Sequence, residues 1–307
     1  MLSYIVRRII GSLVVLLLIS AIAFAMVYMV PSDPARMIAG VHASATTLAE
    51  IRHNLGLDKP VPVQYVDFLG RLLHGDLGKS YTYDRPVTSL LRDRFLATLP
   101  LAVGAWLAEL IIGIPLGIYT ARRARKAADY IVSALALVGL SLPVFWLGLI
   151  LLYWFAFKIP IFPLGGHSNG LASLILPSLT IGIVGAAYYL RLLKSSMLEV
   201  LGNDYVRTAR AKGADERRVV WRHAVPNALI PVVTYAGIDI GTLLGGLIMT
   251  EATFNWNGVG MLAYEALQTS DIPVIMGTVL MAAVFVVLFN LVVDMVYVFI
   301  DPRIRYD

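Results

Sequence analysis

The stretch Asp204-Tyr205-Val206-Arg207-Thr208-Ala209-Arg210-Ala211-Lys212-Gly213-Ala214-Asp215-Glu216-Arg217-Arg218 lies between two apolar runs, Leu171 to Leu190 and Ala228 to Thr250. Its punctuation predicts two short helices joined by a tight turn. Asp204 can cap the first helix, and Gly213 can end it in a left-handed conformation that is costly for any residue carrying a Cβ. Asp215 then caps a second helix running to Pro226. The first helix offers small Ala209 and Ala211 beside basic Arg207, Arg210 and Lys212. A helix-turn-helix held at both ends by membrane helices is a lever: small residues permit close docking, and the bases suit an acidic or polar groove. The same charges would also serve a juxtamembrane loop that holds anionic lipid head groups.

The flanks are apolar because most of the chain is. Of 307 residues, 58% are hydrophobic and 15% charged, and the mean hydropathy is +0.76, more apolar surface than a soluble fold could hide. Crossing about 30 Å of hydrocarbon takes about 20 apolar residues in a helix that satisfies its own backbone. Six stretches qualify: Ile9 to Val30, Leu96 to Ala121, Ile131 to Phe157, Leu171 to Leu190, Ala228 to Thr250 and Ile275 to Ile300. The expectation is an all-α integral membrane protein of six transmembrane helices. Residues 1–95 form the first helix and an extracytoplasmic segment, 96–300 a five-helix domain with a cytoplasmic loop at 191–227, and 301–307 a tail. The run behind Arg7 and Arg8 is too long for the apolar region of a signal peptide, and Val30-Pro31-Ser32 is a poor cleavage site, so that helix is expected to be retained.

The formal charge of +5 divides unevenly about these spans. With a cytoplasmic N-terminus, the inner segments hold Arg7, Arg8, Arg122, Arg123, Arg125, Lys126, Arg191, Lys194, Arg207, Arg210, Lys212, Arg217, Arg218, Arg222, Arg303 and Arg305, whereas the short outer loops 158–170 and 251–274 carry only Lys158. Lys and Arg stay inside, so both termini are expected there and nucleic acid is the weaker explanation of the basic excess. The outer segment from Pro31 to Phe95 nearly balances its charges. Thr46-Thr47 opens an amphipathic stretch ending at Leu55-Gly56, and Val63, Tyr65, Val66, Phe68, Leu69, Leu72 and Leu73 recur at near-helical spacing. Two or three short helices, a lid or a docking surface, are expected on the outer mouth.

Catalytic patterns are missing. Gly78-Lys79-Ser80 resembles the end of a phosphate-binding loop, but position 73 is Leu where that motif needs Gly, and no strand precedes it. His42, His53, His74, His167 and His223 form no metal-ligand pair, Ser141 and Ser195 lack a nucleophile-elbow context, and zero Cys excludes thiolate chemistry. Glu109, Asp239 and Asp294 fall inside predicted spans. A carboxylate at that depth is costly, so these acids either line the translocation path or a subunit seam, or are satisfied locally by hydroxyls such as that of Thr242. Gly113 and Gly117 on the second span, and Gly237, Gly241 and Gly245 on the fifth, have the four-residue spacing of closely packed membrane helices, within this chain or against a second membrane subunit.

The quoted segment resembles the EAA loop of the membrane subunits of ATP-binding-cassette importers, whose pattern is Glu-Ala-Ala, three residues, Gly, nine residues, then Ile-x-Leu-Pro. Here Arg207-Thr208-Ala209 holds the first three positions, Gly213 the glycine and His223-Ala224-Val225-Pro226 the last four. The departures are Arg for Glu, Thr for Ala, and His-Ala-Val-Pro for Ile-x-Leu-Pro; Thr-Ala-Arg-Ala-Lys-Gly is similar to the form in peptide importers. Tyr4-Ile5-Val6-Arg7-Arg8, Pro31-Ser32-Asp33-Pro34-Ala35, Leu55-Gly56-Leu57-Asp58-Lys59-Pro60, Gly75-Asp76-Leu77-Gly78-Lys79-Ser80, Gly139-Leu140-Ser141-Leu142-Pro143-Val144-Phe145 and Asp301-Pro302-Arg303-Ile304-Arg305 are similar to the dipeptide/oligopeptide/nickel permeases, in that order along nearly the whole chain. The long outer segment is like that of the DppB or OppB type.

The resemblance implies the type I importer permease (MetI-like) fold in a prokaryotic plasma membrane. It implies a second homologous permease as heterodimer partner, two cytoplasmic ATP-binding subunits and an extracytoplasmic substrate-binding protein. No cofactor is implied on this chain; ATP and Mg would sit on the ATPases. Arg207 to Arg217 would form the coupling helix in an ATPase cleft, with Asp204, Thr208, Ala214, Asp215 and Pro226 shaping it, and the segment from Glu251 to Ile272 would lie near the outer gate. Peptides are the expected substrate, with nickel, haem and glutathione as alternatives among relatives. A secondary transporter driven by an ion gradient would instead use the membrane acids as relays and show paired broken helices; Pro115, Pro143 and Pro231 interrupt spans without matched halves.

Overall fold

Four uninterrupted helices and two bent pairs carry the apolar stretches, giving six crossings when each bent pair is one span. The structure is a computed structural model describing residues 2–29, 34–39, 43–54, 56–167 and 170–300. Val30 to Asp33, His42, Leu55 and the tail 301–307 with Arg303 and Arg305 lie outside the described residues. In order, α1 (Leu2–Met29) leads to the short α2 (Pro34–Ala39), α3 (Ala45–Asn54) and α4 (Val61–Leu73); α5 (Val87–Arg122) returns to α6 (Ala127–Ser141) and α7 (Val144–Leu152), which a π-helical turn, Tyr153–Lys158, continues. Then come α8 (Leu171–Leu201), α9 (Asp204–Ala211), α10 (Glu216–Arg218), a second π turn (Val219–Ala224), α11 (Val225–Ala228), α12 (Ile230–Leu244), α13 (Ile248–Thr253), α14 (Val259–Thr269) and α15 (Ile272–Ile300).

Span boundaries depart from the sequence expectation in instructive ways. The second helix begins at Val87 rather than Leu96, its charged Arg92, Asp93 and Arg94 riding on the first turns of one 36-residue helix. At about 1.5 Å per residue it overshoots the hydrocarbon and carries the outer segment with it. The third span is not one helix: α6 and α7 meet at 100°. Pro143 has no N–H to give, and Leu142 before it is extended at φ −78°, ψ 131°, as steric contact with a proline ring demands. Pro115, expected to interrupt its span, instead lies inside α5. The fourth helix continues to Leu201, because Leu193, Met197 and Val200 prolong its buried stripe past Leu190. Residues 191–201 therefore belong to the bundle, not the loop. The fifth span bends by 44° where Ala228 meets Ile230 and ends at Leu244, and Gly246 at φ +122° turns the chain into α13.

Glycines set the two closest helix pairs. A Cβ at Gly113 would fall 2.6 Å from Tyr189 Cβ and 2.7 Å from the Ala186 carbonyl, and one at Gly117 3.0 Å from Leu193 Cβ, so α5 and α8 touch almost backbone to backbone. Gly237, Gly241 and Gly245 do the same between α12 and α15, against Val293, Phe289 and Ala282; Gly245 stands at the C-cap of α12. All five glycines thus make contacts within this chain. Outside the bundle, α4 crosses the end of α1: Phe68 packs with Ala23, Met276 and Leu280, and the Tyr65 hydroxyl lies 2.9 Å from that of Ser20. Arg8 of α1 pairs with Asp294 of α15 at 3.0 Å, bringing the start of the first helix to the end of the last.

Candidate functional site

The turn between α9 and α10 is built from backbone first. Gly213 N–H donates to Arg210 O at 2.9 Å and Ala214 N–H to Ala209 O at 3.1 Å, the paired bonds of a Schellman ending, with Gly213 at φ +82°. Asp215 caps α10 by accepting from Arg218 N–H at 3.3 Å. Asp204 does not cap α9: Asn203 is the extended residue before it, and Asp204 is the first helical residue, its carbonyl accepting from the Thr208 hydroxyl at 2.9 Å. The expected helix Arg207 to Arg217 accordingly straddles the turn, with α9 covering only Asp204–Ala211.

One side chain of α9 is buried. Val206 enters a cluster with Leu193, Met197 and Val200 of α8 and Val219, Val220, Ala224, Val225 and Ala228 of the return segment. Arg207, Thr208, Arg210, Ala211 and Lys212 are exposed, with Ala209 and Ala214 half-buried. The return path widens into a π turn just before Pro226, whose ring would strike the carbonyl four residues back in a regular helix. Asn227 Nδ2 donates to His223 O at 2.8 Å, one turn back along the return segment. Trp221, 54% exposed, stands beside Asp215, Arg217 and Arg218 around a shallow depression. Sequence reading missed Glu216, which grips Arg210 across the turn; an acid six residues beyond a base on the far side of a Gly turn was the available signal.

The three bundle acids have separate fates. Asp294 has Arg8. Asp239 accepts from the Tyr189 hydroxyl at 2.8 Å, and Thr242 donates to the Asp239 backbone carbonyl rather than to its carboxyl. Glu109 is buried against Gly185, its carboxyl beside that of Asp239, and its Oε2 has no hydrogen-bond partner. Two further acids expected in an outer loop are fully buried. Glu251 accepts from the Thr98 hydroxyl at 2.7 Å and Met261 N–H at 2.8 Å, fastening the α13–α14 hairpin to α5. Asp271 accepts from the Ser80 hydroxyl at 2.5 Å and Thr82 N–H at 3.0 Å, fastening the outer segment to the start of α15. Near the other end of α8, Lys194 pairs with buried Asp129 of α6.

A six-span helical bundle, outer helices tied to it, and an exposed basic helix-turn-helix mounted between two spans have the form of a membrane permease subunit. Residues 113–306 match the family described as "Binding-protein-dependent transport system inner membrane component", and residues 1–102 match the N-terminal region of such membrane components. The chain belongs to this family, and is a multi-pass permease of a binding-protein-dependent ABC importer in the DppB/OppB-like group. It is 43% identical over 306 residues to the glutathione transport system permease protein GsiC of Pectobacterium atrosepticum, 40% to that of Salmonella typhimurium and 39% to that of Escherichia coli K12, covering 100% of both chains in each case. An inward-facing structure of the MetNI methionine ABC transporter shares the fold, with a TM-score of 0.55 at 24% identity over 67% of this chain and 94% of that one.

Proposed function

We propose that this chain is one of two different permeases of an importer for glutathione and short peptides, receiving substrate from an extracytoplasmic binding protein and driven by two cytoplasmic ATPases. The observation that carries the substrate reading is the end-to-end similarity to glutathione permeases, which spans the outer segment as well as the bundle. ATP and Mg bind to the ATPase partners, and this chain catalyses no reaction of its own. The uneven division of Lys and Arg supports both termini and the α9–α10 segment lying in the cytoplasm.

In this reading α9 seats in a cleft of one ATPase through Arg207, Thr208, Ala211 and Lys212. Val206 links it to α8 and to the return segment below α12, so closure of the ATPases moves two spans together and biases the bundle between inward-open and outward-open states. The test is reconstitution of the complete complex with its binding protein, followed by uptake of radiolabelled glutathione, dialanine, nickel and haem. ATP-dependent uptake of glutathione, competed by short peptides, is the expected result. Uptake restricted to nickel or haem would overturn the substrate, and uptake driven by an ion gradient without ATP would overturn the mechanism.

A further inference from the structure

Glu109 and Asp239 form an acidic pair in the middle of the bundle that the coupling segment does not use. Glu109 is 3% exposed and its Oε2 is unpartnered, while the Asp239 carboxyl beside it takes the hydroxyl of fully buried Tyr189. Among the described residues, none of the ion pairs includes either acid. Side-by-side carboxyls in a low dielectric cannot both stay charged on their own: empty, they share one proton, and as a doubly charged pair they are short of one positive charge.

The aromatic surroundings match that deficit. Tyr188 and Tyr235 stack with centroids 4.4 Å apart, and Tyr235 meets Tyr189 edge to face at 5.1 Å. Tyr188 is 47% exposed and Asp239 and Tyr235 partly so, which opens the cluster to the outside of this chain on that side. An acid and two phenols open at membrane depth face a water-filled path or the seam with a second subunit rather than lipid. Aromatic faces flanking a carboxylate attract an organic ammonium in particular, because ring quadrupole and carboxylate act together. We propose that Asp239, with Glu109 behind it and Tyr235, backed by Tyr188, beside it, receives the protonated primary amine of the imported substrate as it passes. The inference rests on the glutathione and peptide reading above; both substrates carry such an amine at neutral pH.

The test uses the assembled transporter in proteoliposomes with its binding protein, comparing glutathione with N-acetylglutathione, each at a concentration that titration shows to saturate the binding protein. Asp239→Asn is expected to lower glutathione uptake about tenfold, the scale of one charge-assisted hydrogen bond, and N-acetylglutathione uptake by much less. Asp239→Glu, which keeps the charge, is expected to stay within about twofold of the parent by the same reasoning. Should Asp239→Asn fail to co-purify with its partners, Tyr188→Leu carries the comparison, with a selective loss of about threefold. Equal loss for both probes, wild-type uptake in Asp239→Asn, or equal loss in Asp239→Glu would overturn the site. A wild-type complex that moves neither probe would overturn the substrate reading instead.

Discussion

Arg210 and Glu216 close the turn between α9 and α10 from opposite sides, with Arg210 Nε 2.7 Å from Glu216 Oε1 and Nη2 3.4 Å from Oε2. The guanidinium holds the Glu216 carboxyl below its ordinary value of 4.5. A carboxylate depressed in the folded state contributes in full above that ordinary value and loses its contribution as pH falls through the lowered one. Hydrogen exchange of residues 204–218, corrected for intrinsic rates, should therefore be flat from neutrality to about pH 5 and rise below it. Glu216→Gln should show the acid behaviour at neutral pH. The pair is solvent-exposed and worth about 1 kcal/mol or less, so the rise should not exceed about fivefold.

Gly213 is required by its φ alone, since nothing lies within 4 Å of where its Cβ would stand. Asn tolerates the left-handed region, whereas a branched Cβ costs about 1–2 kcal/mol there. Uptake should fall in the order Gly, Asn, Ala, Val, with Gly213→Val retaining insertion and basal ATP hydrolysis but losing substrate-stimulated transport. A Val variant that transports normally would remove the turn from the coupling path.

The α5–α8 seam predicts a ranking. Gly113→Ala forces its Cβ to within 2.6 Å of Tyr189 Cβ and 2.7 Å of a backbone carbonyl that cannot move away, whereas the nearest atom to a Cβ at Gly139 is 3.9 Å distant. Overpacking of this kind costs about 1–3 kcal/mol. Thermal denaturation in detergent should show a clear loss for Gly113→Ala, a smaller one for Gly117→Ala, and none for Gly139→Ala.

Glu251 and Thr98 form the fourth test. Thr98 both donates to Glu251 and accepts from Val259 N–H at 2.8 Å, so removing either partner strands a buried polar group at about 1–3 kcal/mol. Cysteine labelling of the α13–α14 hairpin should rise in Glu251→Ala and in Thr98→Val, and the double variant should cost less than the sum. Strict additivity would show that the two side chains do not act together.

The spans carried by α1, α5, α8 and α15 were legible because length and apolarity alone specify a membrane helix. The Gly213 turn was legible too, since a left-handed C-terminus has a local residue signature. Prolines were not: Pro115 stays within α5, where Gly113 and Gly117 hold it against α8, while Pro143 opens a 100° corner. The outcome depends on neighbours distant in sequence. The burial of Glu251 and Asp271 in an expected outer loop was hidden for the same reason, because Thr98 and Ser80, which donate to them, are 153 and 191 residues away. The pairing of Glu109 with Asp239 likewise needed the packing of α5, α8 and α12, although each acid stood out alone by depth.

Val206 gives α9 an unusual freedom. Because α9 commits a single side chain to the bundle, exposed Ala211 and Lys212 carry little folding obligation, whereas Arg210 on the same helix stays tied to Glu216 across the turn. If α9 seats in an ATPase as proposed, choice of motor can drift separately from choice of cargo, through changes confined to those exposed positions.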